Sequence, residues 1–126
     1  MTDVVLDASV ILAHLKGEKG SELAKSLLTR GQICSVNFSE VVTKLIDHGF
    51  LSQTAVETTA SLQLSVIAAD EQLALDAGAL RAETRHLGLS LGDRFCLALG
   101  RRGGLPVYTA DRRWAELSGI DIRLIR

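Results

Sequence analysis

Five of the acidic residues in this 126-residue chain stand where a short apolar run gives way to a helix-like stretch. Asp7 ends "VVL", Glu40 lies in the first turn after "ICSV", Asp70 follows "VIA", Asp93 opens a helix after "LSLG", and Asp111 follows "VYTA". Acids at such places have an ordinary use. An aspartate at a helix start is an N-cap worth roughly 1 kcal/mol, and a glutamate in a first turn suits the helix dipole. Asp70, heading "ADEQLAL", reads as a plain cap. Asp7, Glu40, Asp93 and Asp111 are different, because the elements that carry them could bring them together. Crowded carboxylates repel and desolvate one another, and a fold tolerates that when a divalent cation sits among them. Oxygen-only ligation favours Mg²⁺ or Mn²⁺ over Zn²⁺.

Other chemistries find little support. No glycine-rich phosphate cradle follows a strand. His14, His48 and His86 share no spacing that suggests a metal site or a triad, and Ser9 has no evident histidine to activate it. A phosphotransfer receiver would want an acid pair after the first strand and a lysine near the last. Only one acid follows the first strand here, and the final segment carries Arg123.

The elements that must position these acids are legible as periodicity. Apolar runs at Val4–Leu6, Ile33–Val36, Val66–Ala68, Val107–Tyr108 and Ile122–Ile125 read as strands covered on both faces. Between them lie helical patterns. Leu23, Leu27 and Leu28 share one face, and Val41, Val42, Leu45 and Ile46 share another. The longest helix is expected after Asp70, where Leu73, Ala77, Leu80, Thr84 and Leu87 step by four and three. Gly31, Gly49, Gly88 and Gly103–Gly104 fall where C-terminal caps are expected. Strands alternating with helices imply a three-layer α/β/α domain around a parallel sheet. Ligands of such sheets bind outside the carboxyl ends of the strands, which is where the four acids fall.

Composition narrows the class. One domain over residues 1–126 is expected, with a core of Leu, Val, Ile and Ala, since hydrophobic residues make up 47% and aromatics 4%. No apolar run approaches the ~20 residues of a membrane span, and no secretory signal pattern is present. Cys34 and Cys96, far apart and in apolar contexts, read as reduced core thiols, which fits a cytoplasmic protein.

Taken together, "VVLDASVILAHLKGE", "CSVNFSEVVTKLIDHG" and "LSLGDRFCLALGRRGGLPVYTADRRW" resemble a PIN domain, and specifically the VapC-type toxin ribonucleases. The likeness runs from Val4 to the terminal "IDIRLIR". The four acids occur in the family's order, Asp7 in the opening element, Glu40 in "SEVV", Asp93 in "LGDRFCLAL" and Asp111 in "TAD". The resemblance implies a five-stranded parallel sheet, and it implies that these acids hold one or two Mg²⁺ or Mn²⁺ ions with Ser9 and Thr109 in support. It also implies homodimerisation and inhibition by a small VapB-type antitoxin. The segment around Val41, Val42, Leu45, Ile46 and Phe50 is either dimer patch or core. One departure stands out: "LGRRGG" replaces an alanine-rich helix, which leaves the length of the helix after Asp93 open.

The activity so implied is metal-dependent hydrolysis of RNA phosphodiesters, with Asp7 and Asp93 as direct ligands. A net charge of −1 fits an RNA partner poorly at first sight. Nine of the ten arginines, however, lie in residues 64–126, and neutralising the four site acids moves the net charge from −1 to +3. Arg94, Arg112 and Arg113, with Arg101 and Arg102, flank the third and fourth acids and are either phosphate contacts or solvated helix face. Tyr108 and Trp114 are too few for a stacking platform and are expected in the core, so recognition should read RNA shape and loops. Two other readings stay open: a PIN nuclease of RNA processing with no antitoxin, and a non-catalytic α/β binding module whose acids merely cap helices.

Overall fold

The computed structural model describes residues 3–126. Five short strands, β1 (Val4–Leu6), β2 (Gly31–Cys34), β3 (Ser65–Ile67), β4 (Val107–Thr109) and β5 (Ile122–Leu124), form one sheet in the order β3-β2-β1-β4-β5. Every pairing is parallel, with Val4 beside Gly31, Val5 beside Val107 and Val107 beside Ile122. Strand order therefore runs one way from β1 to β3 and the other way from β1 to β4 and β5. The reversal between β1 and β4 opens a crevice at their carboxyl ends, where α/β sheets take their ligands.

The helices are α1 (Ala8–Lys16), α2 (Ser21–Leu27), α3 (Ser35–Asp47), α4 (Ser52–Ser61), α5 (Glu71–Ala79), α6 (Arg81–Thr84) and α7 (Leu91–Gly103). They cover both faces of the sheet, because successive strand side chains point to opposite sides. Val4 and Leu6 of β1 join a core with Val10 and Ile11 of α1, Leu27 of α2, Val41 and Leu45 of α3 and Ala55 of α4. Val5, between them, joins a second core with Leu73 and Ala77 of α5, Cys96, Leu97 and Leu99 of α7, and Trp114. Trp114 is fully buried, Tyr108 packs half-buried against the first core, and both cysteines are buried free thiols. No helix among the described residues is long and apolar enough to cross a membrane.

Several expectations need correction. The long helix after Asp70 is broken into α5, α6 and a 3-10 turn over Arg85–Leu87, so α3 and α7 are the longest, at 13 residues each. Its inner face is as expected, since Leu73, Ala77, Leu80 and Thr84 are all buried. The first break falls at Leu80, where α5 ends, and the backbone leaves helical geometry again at Thr84 (φ −116°, ψ 0°) before Gly88 takes a left-handed turn at φ +62°. The second strand ends at Cys34, and Ser35 and Val36 already belong to α3. An unbroken apolar run does not mark where extended backbone becomes helical. In α2 the inner face is Ala24 and Leu27, and Leu23 is exposed. Gly31 lies in β2 rather than at a cap.

Packing divides the α3 segment and fixes the extent of α7. Val41 and Leu45 are core, whereas Ile46 and Phe50 are exposed, together with Leu51 and Val56 at α4. Helix α7 runs through "LGRR" to a left-handed cap at Gly104. Gly100 belongs in it because a methyl there would run into Val107 Cγ2, so its absence lets α7 lie close on β4.

Candidate active site

Asp7 follows β1 directly and occupies the N-cap position of α1, yet its side chain makes no capping hydrogen bond. Instead Oδ2 accepts from the Ser9 hydroxyl at 2.7 Å and from the Thr109 hydroxyl at 2.9 Å. Both donors are in turn held by the chain after β4. Ser9 Oγ accepts from the Ala110 N–H at 2.9 Å, and Thr109 Oγ1 from the Asp111 N–H at 3.0 Å. Ser9 and Thr109 thus lace β1 and β4 across the crevice and fix the Asp7 carboxylate within it.

Asp7 as a whole residue is only 6% exposed. Burial pushes its pKa from 3.8 up to about 6, with Asp93 and Glu40 adding repulsion and the Ser9 and Thr109 hydroxyls opposing. No lysine or arginine bonds to it among the described residues. A buried, uncompensated anion beside two further acids is costly, and the helix it heads makes no use of it.

The other acids are committed differently. Glu40, on α3, is half-buried, and its pKa is raised by burial, with Asp93 adding to the rise and the Asn37 bond and Lys44 opposing it. Asn37, one turn earlier and fully buried, donates to Glu40 Oε1 at 2.8 Å and to the Gly92 carbonyl at 2.9 Å, tying α3 to α7. Asp93 sits in a capping box: it accepts from the Ser90 N–H at 2.9 Å while Ser90 Oγ accepts from the Asp93 N–H at 3.2 Å. Asp111 caps the 3-10 turn Arg112–Glu116 through the Arg113 N–H. The Arg113 guanidinium grips it with a contact of 2.6 Å and holds its carboxyl below the usual range.

All four acids line one cleft of about 210 Å³, together with Ala8, Ser9, Leu12 and Lys44. Asp70 does not reach it. Its carboxylate accepts from the Leu73 N–H at 2.8 Å and pairs with Arg102 at 2.9 Å, so it is the plain cap that its context suggests. Among the described residues no three Asp, Glu, His or Cys side chains already converge on a single point as a metal shell. The donors nonetheless fit a hard divalent cation in kind. They are oxygen-only, one is buried without a cation, and the remainder are held by bonds that a side-chain rotation exchanges.

Three site residues escape a reading based on acids. Asn37 lies at i−3 from Glu40 and is the buried amide that orients it. Gly92 is required by proximity, since a Cβ there would stand 2.5 Å from Glu40 Oε2 and 2.6 Å from Oε1. Lys44, at i+4 from Glu40, is the cation that lines the cleft. Helical spacing around Glu40 could have flagged Asn37 and Lys44, but nothing local marks Gly92.

The flanking arginines all have partners within the chain. Arg94 donates to the Ala77 carbonyl at 3.1 Å, with its Nε buried and unbonded. Arg112 donates to the Arg126 carbonyl, and Arg101 pairs with Glu83. Arg113 reaches the Leu87 carbonyl besides Asp111.

A parallel sheet in this order, with acids gathered at the β1/β4 reversal, defines a class that the sequence itself matches. The model of the PIN domain family matches residues 4–120, and the chain belongs to that family. Solved structures share the fold over nearly the whole chain. A toxin–antitoxin complex from Klebsiella pneumoniae has a TM-score of 0.76 at 18% identity, covering 98% of both chains. DNA-bound VapBC from Salmonella typhimurium has a TM-score of 0.73 at 24% identity over 100% of both chains. VapC20 from Mycobacterium tuberculosis, a sarcin-ricin loop cleaving toxin, has a TM-score of 0.77 at 18% identity, covering 95% of this chain and 98% of that one. At such identities the likeness is one of fold. No curated protein matches the chain.

Proposed function

We propose that residues 1–126 act as one nuclease domain, a Mg²⁺- or Mn²⁺-dependent endoribonuclease that serves as the toxin of a toxin–antitoxin pair. The observation that carries this reading is Asp7: a buried carboxylate, unused by its own helix, facing two further acids in a cleft at the sheet's switch point. The same observation disfavours the reading in which the acids are only helix caps. Membership of the PIN family and the shared fold with VapBC complexes support the toxin assignment.

In this reading Asp7 and Asp93 are direct ligands, Glu40 completes the shell or orients the attacking water, and Asp111 serves a second ion or a bound water. Held by these acids, a divalent cation would supply Lewis-acid polarisation of the phosphodiester and would lower the pKa of water toward neutrality. Ser9 and Thr109 keep the Asp7 carboxylate pointed into the cleft. Asn37 and Gly92 keep Glu40 in place, and Asp111 must exchange Arg113 for the ion. No side-chain nucleophile is needed. The protein is read as a cytoplasmic homodimer whose partner is a small VapB-type antitoxin.

Incubation of purified protein with total RNA in Mg²⁺, Mn²⁺ or EDTA tests the chemistry. Cleavage is expected with either metal and not with EDTA, and undiminished cleavage in EDTA would remove the metal from the proposal. Growth arrest on solitary expression, relieved by a small protein that co-purifies from the native host, separates a toxin from an RNA-processing enzyme.

A further inference from the structure

Beside the acid cleft lies a second, larger depression. It runs along the exposed face of α3, has a volume of about 580 Å³, and is lined by Ser35, Val36, Ser39, Glu40, Thr43 and Lys44. Glu40 and Lys44 line the acid cleft as well, so the two spaces adjoin across these two side chains. From Ser35 to Lys44 the groove follows roughly 14 Å of helix axis at 1.5 Å per residue. Ser39 and Thr43 are both exposed and four residues apart, so their hydroxyls lie one above the other on the same face.

Lys44 is the unusual member. The arginines near the site are held by carboxylates or carbonyls. The Lys44 ammonium forms no hydrogen bond or ion pair among the described residues; its electrostatic neighbour is Glu40, whose Oε1 accepts from Asn37. An exposed cation at the junction of an acid cleft and a hydroxyl-lined groove fits an anionic, sugar-bearing strand. A protein partner fits less well, because the groove lining holds one apolar side chain, Val36, and the run of exposed apolar residues Ile46, Phe50, Leu51 and Val56 lies beyond it, toward and along α4.

We propose that the α3 groove is a track for a single-stranded segment of RNA, with Lys44 gripping a backbone phosphate beside the acid cleft and Ser39 and Thr43 meeting ribose hydroxyls. The substrate class rests on the nuclease reading, whereas the track rests on the groove and its free cation. A phosphate contact of this kind positions a strand without reading its sequence, and the hydroxyl contacts favour RNA over DNA. Lys44 is a substrate-positioning residue and takes no part in proton transfer.

The test is binding of a fluorescein-labelled, mixed-sequence 12-nucleotide RNA to the full chain in EDTA, followed by anisotropy across a salt series. Each phosphate contact on a single strand contributes about 0.7 to the slope of log affinity against log salt. Lys44→Gln should lower the slope by about 0.7 and weaken binding several-fold at low salt. Ser39→Ala with Thr43→Val should weaken RNA binding without changing the slope, and should narrow the preference over the matching DNA. Lys25→Gln, an exposed lysine on α2, should change neither quantity.

An unchanged slope and affinity for Lys44→Gln overturns the proposal, as does a wild-type chain that binds no RNA. An unchanged slope with a tighter Mn²⁺ midpoint in thermal melts overturns it too, and makes Lys44 a counter-ion of the acids. Cleavage of total RNA by the wild type in Mn²⁺ keeps the two readings apart. Cleavage with Lys44-independent binding sinks the track alone. Lys44-dependent binding without any cleavage sinks the nuclease and leaves the track.

Discussion

Replacing Asp7 by asparagine should make the metal-free protein more stable while removing its response to metal. In the folded chain the Asp7 carboxyl has a pKa of about 6 against 3.8 for an unperturbed aspartate, chiefly through burial. At 1.36 kcal/mol for each factor of ten, holding it ionised above pH 6 costs on the order of 3 kcal/mol of folding stability. Asparagine has the same shape, carries no charge, and can still accept from Ser9 and Thr109. Its bonds to those hydroxyls are weaker than those of a carboxylate, so a gain of about 1–3 kcal/mol is expected. For a chain of this size that is roughly 4–10 °C in Tm.

The sign of the pH dependence follows from the raised pKa. The folded state takes up its proton before the unfolded state does, so the penalty is fully present above pH 6. It fades as pH falls from about 6 toward 3.8. The variant's advantage should therefore be largest near pH 7.5 and close to zero at pH 4. Scanning calorimetry of both proteins in EDTA at several pH values measures it, and a second series with Mn²⁺ should raise the Tm of the wild type much more than that of the variant. A variant that melts below the wild type at pH 7.5 in EDTA, or a difference indifferent to pH, would refute the reasoning and return Asp7 to a purely structural role.

Gly92→Ala should act on Glu40 alone. Its Cβ would stand 2.5 Å from a carboxylate oxygen, so the flexible Glu40 side chain must swing away, and RNA cleavage should fall about 10- to 100-fold. Alanine's better helix propensity, up to about 1 kcal/mol, should leave the melting point level or higher, and cleavage lost together with stability would contradict this account. Asp70→Asn should leave cleavage within about twofold of wild type, because asparagine caps a helix as well as aspartate does; a dead variant in the same RNA assay would mean that the wrong carboxylates were chosen. Arg113→Gln should free Asp111 and shift the Mn²⁺ midpoint in a melt titration to lower concentration. It should change metal-free stability by less than about 1 kcal/mol, since the Arg113 side chain is 51% exposed.

The apolar triplet Val4–Leu6 closing on Asp7, and the parallel α/β architecture, were legible because strands buried on both faces are continuous apolar runs and helices alternate with them. The four acids were legible as a group because each falls where a strand or a helix start delivers it to the same edge of the sheet, and the cleft contains all four. Periodicity also found the inner face of the segment after Asp70, but not its breaks at Leu80 and Thr84, because the buried stripe runs through both of them.

What each acid does was decided only by tertiary structure. Asp7, Asp70, Asp93 and Asp111 all look like N-terminal caps along the chain. Asp70 and Asp111 do cap and Asp93 completes the capping box of Ser90, whereas Asp7 makes no cap, because Ser9 and Thr109, 100 residues apart, draw its carboxylate into the β1/β4 crevice. Arg94, Arg112 and Arg113, open along the chain to phosphate or solvent, have intramolecular partners in the fold, and Lys44, unremarkable in sequence, lines the cleft with no hydrogen bond or ion pair among the described residues. Periodicity and spacing report which face of an element a residue occupies. Burial, charge pairing and hydrogen-bond competition arise only when distant elements meet, and those set whether a carboxylate caps a helix, pairs with an arginine, or stands ready for a metal.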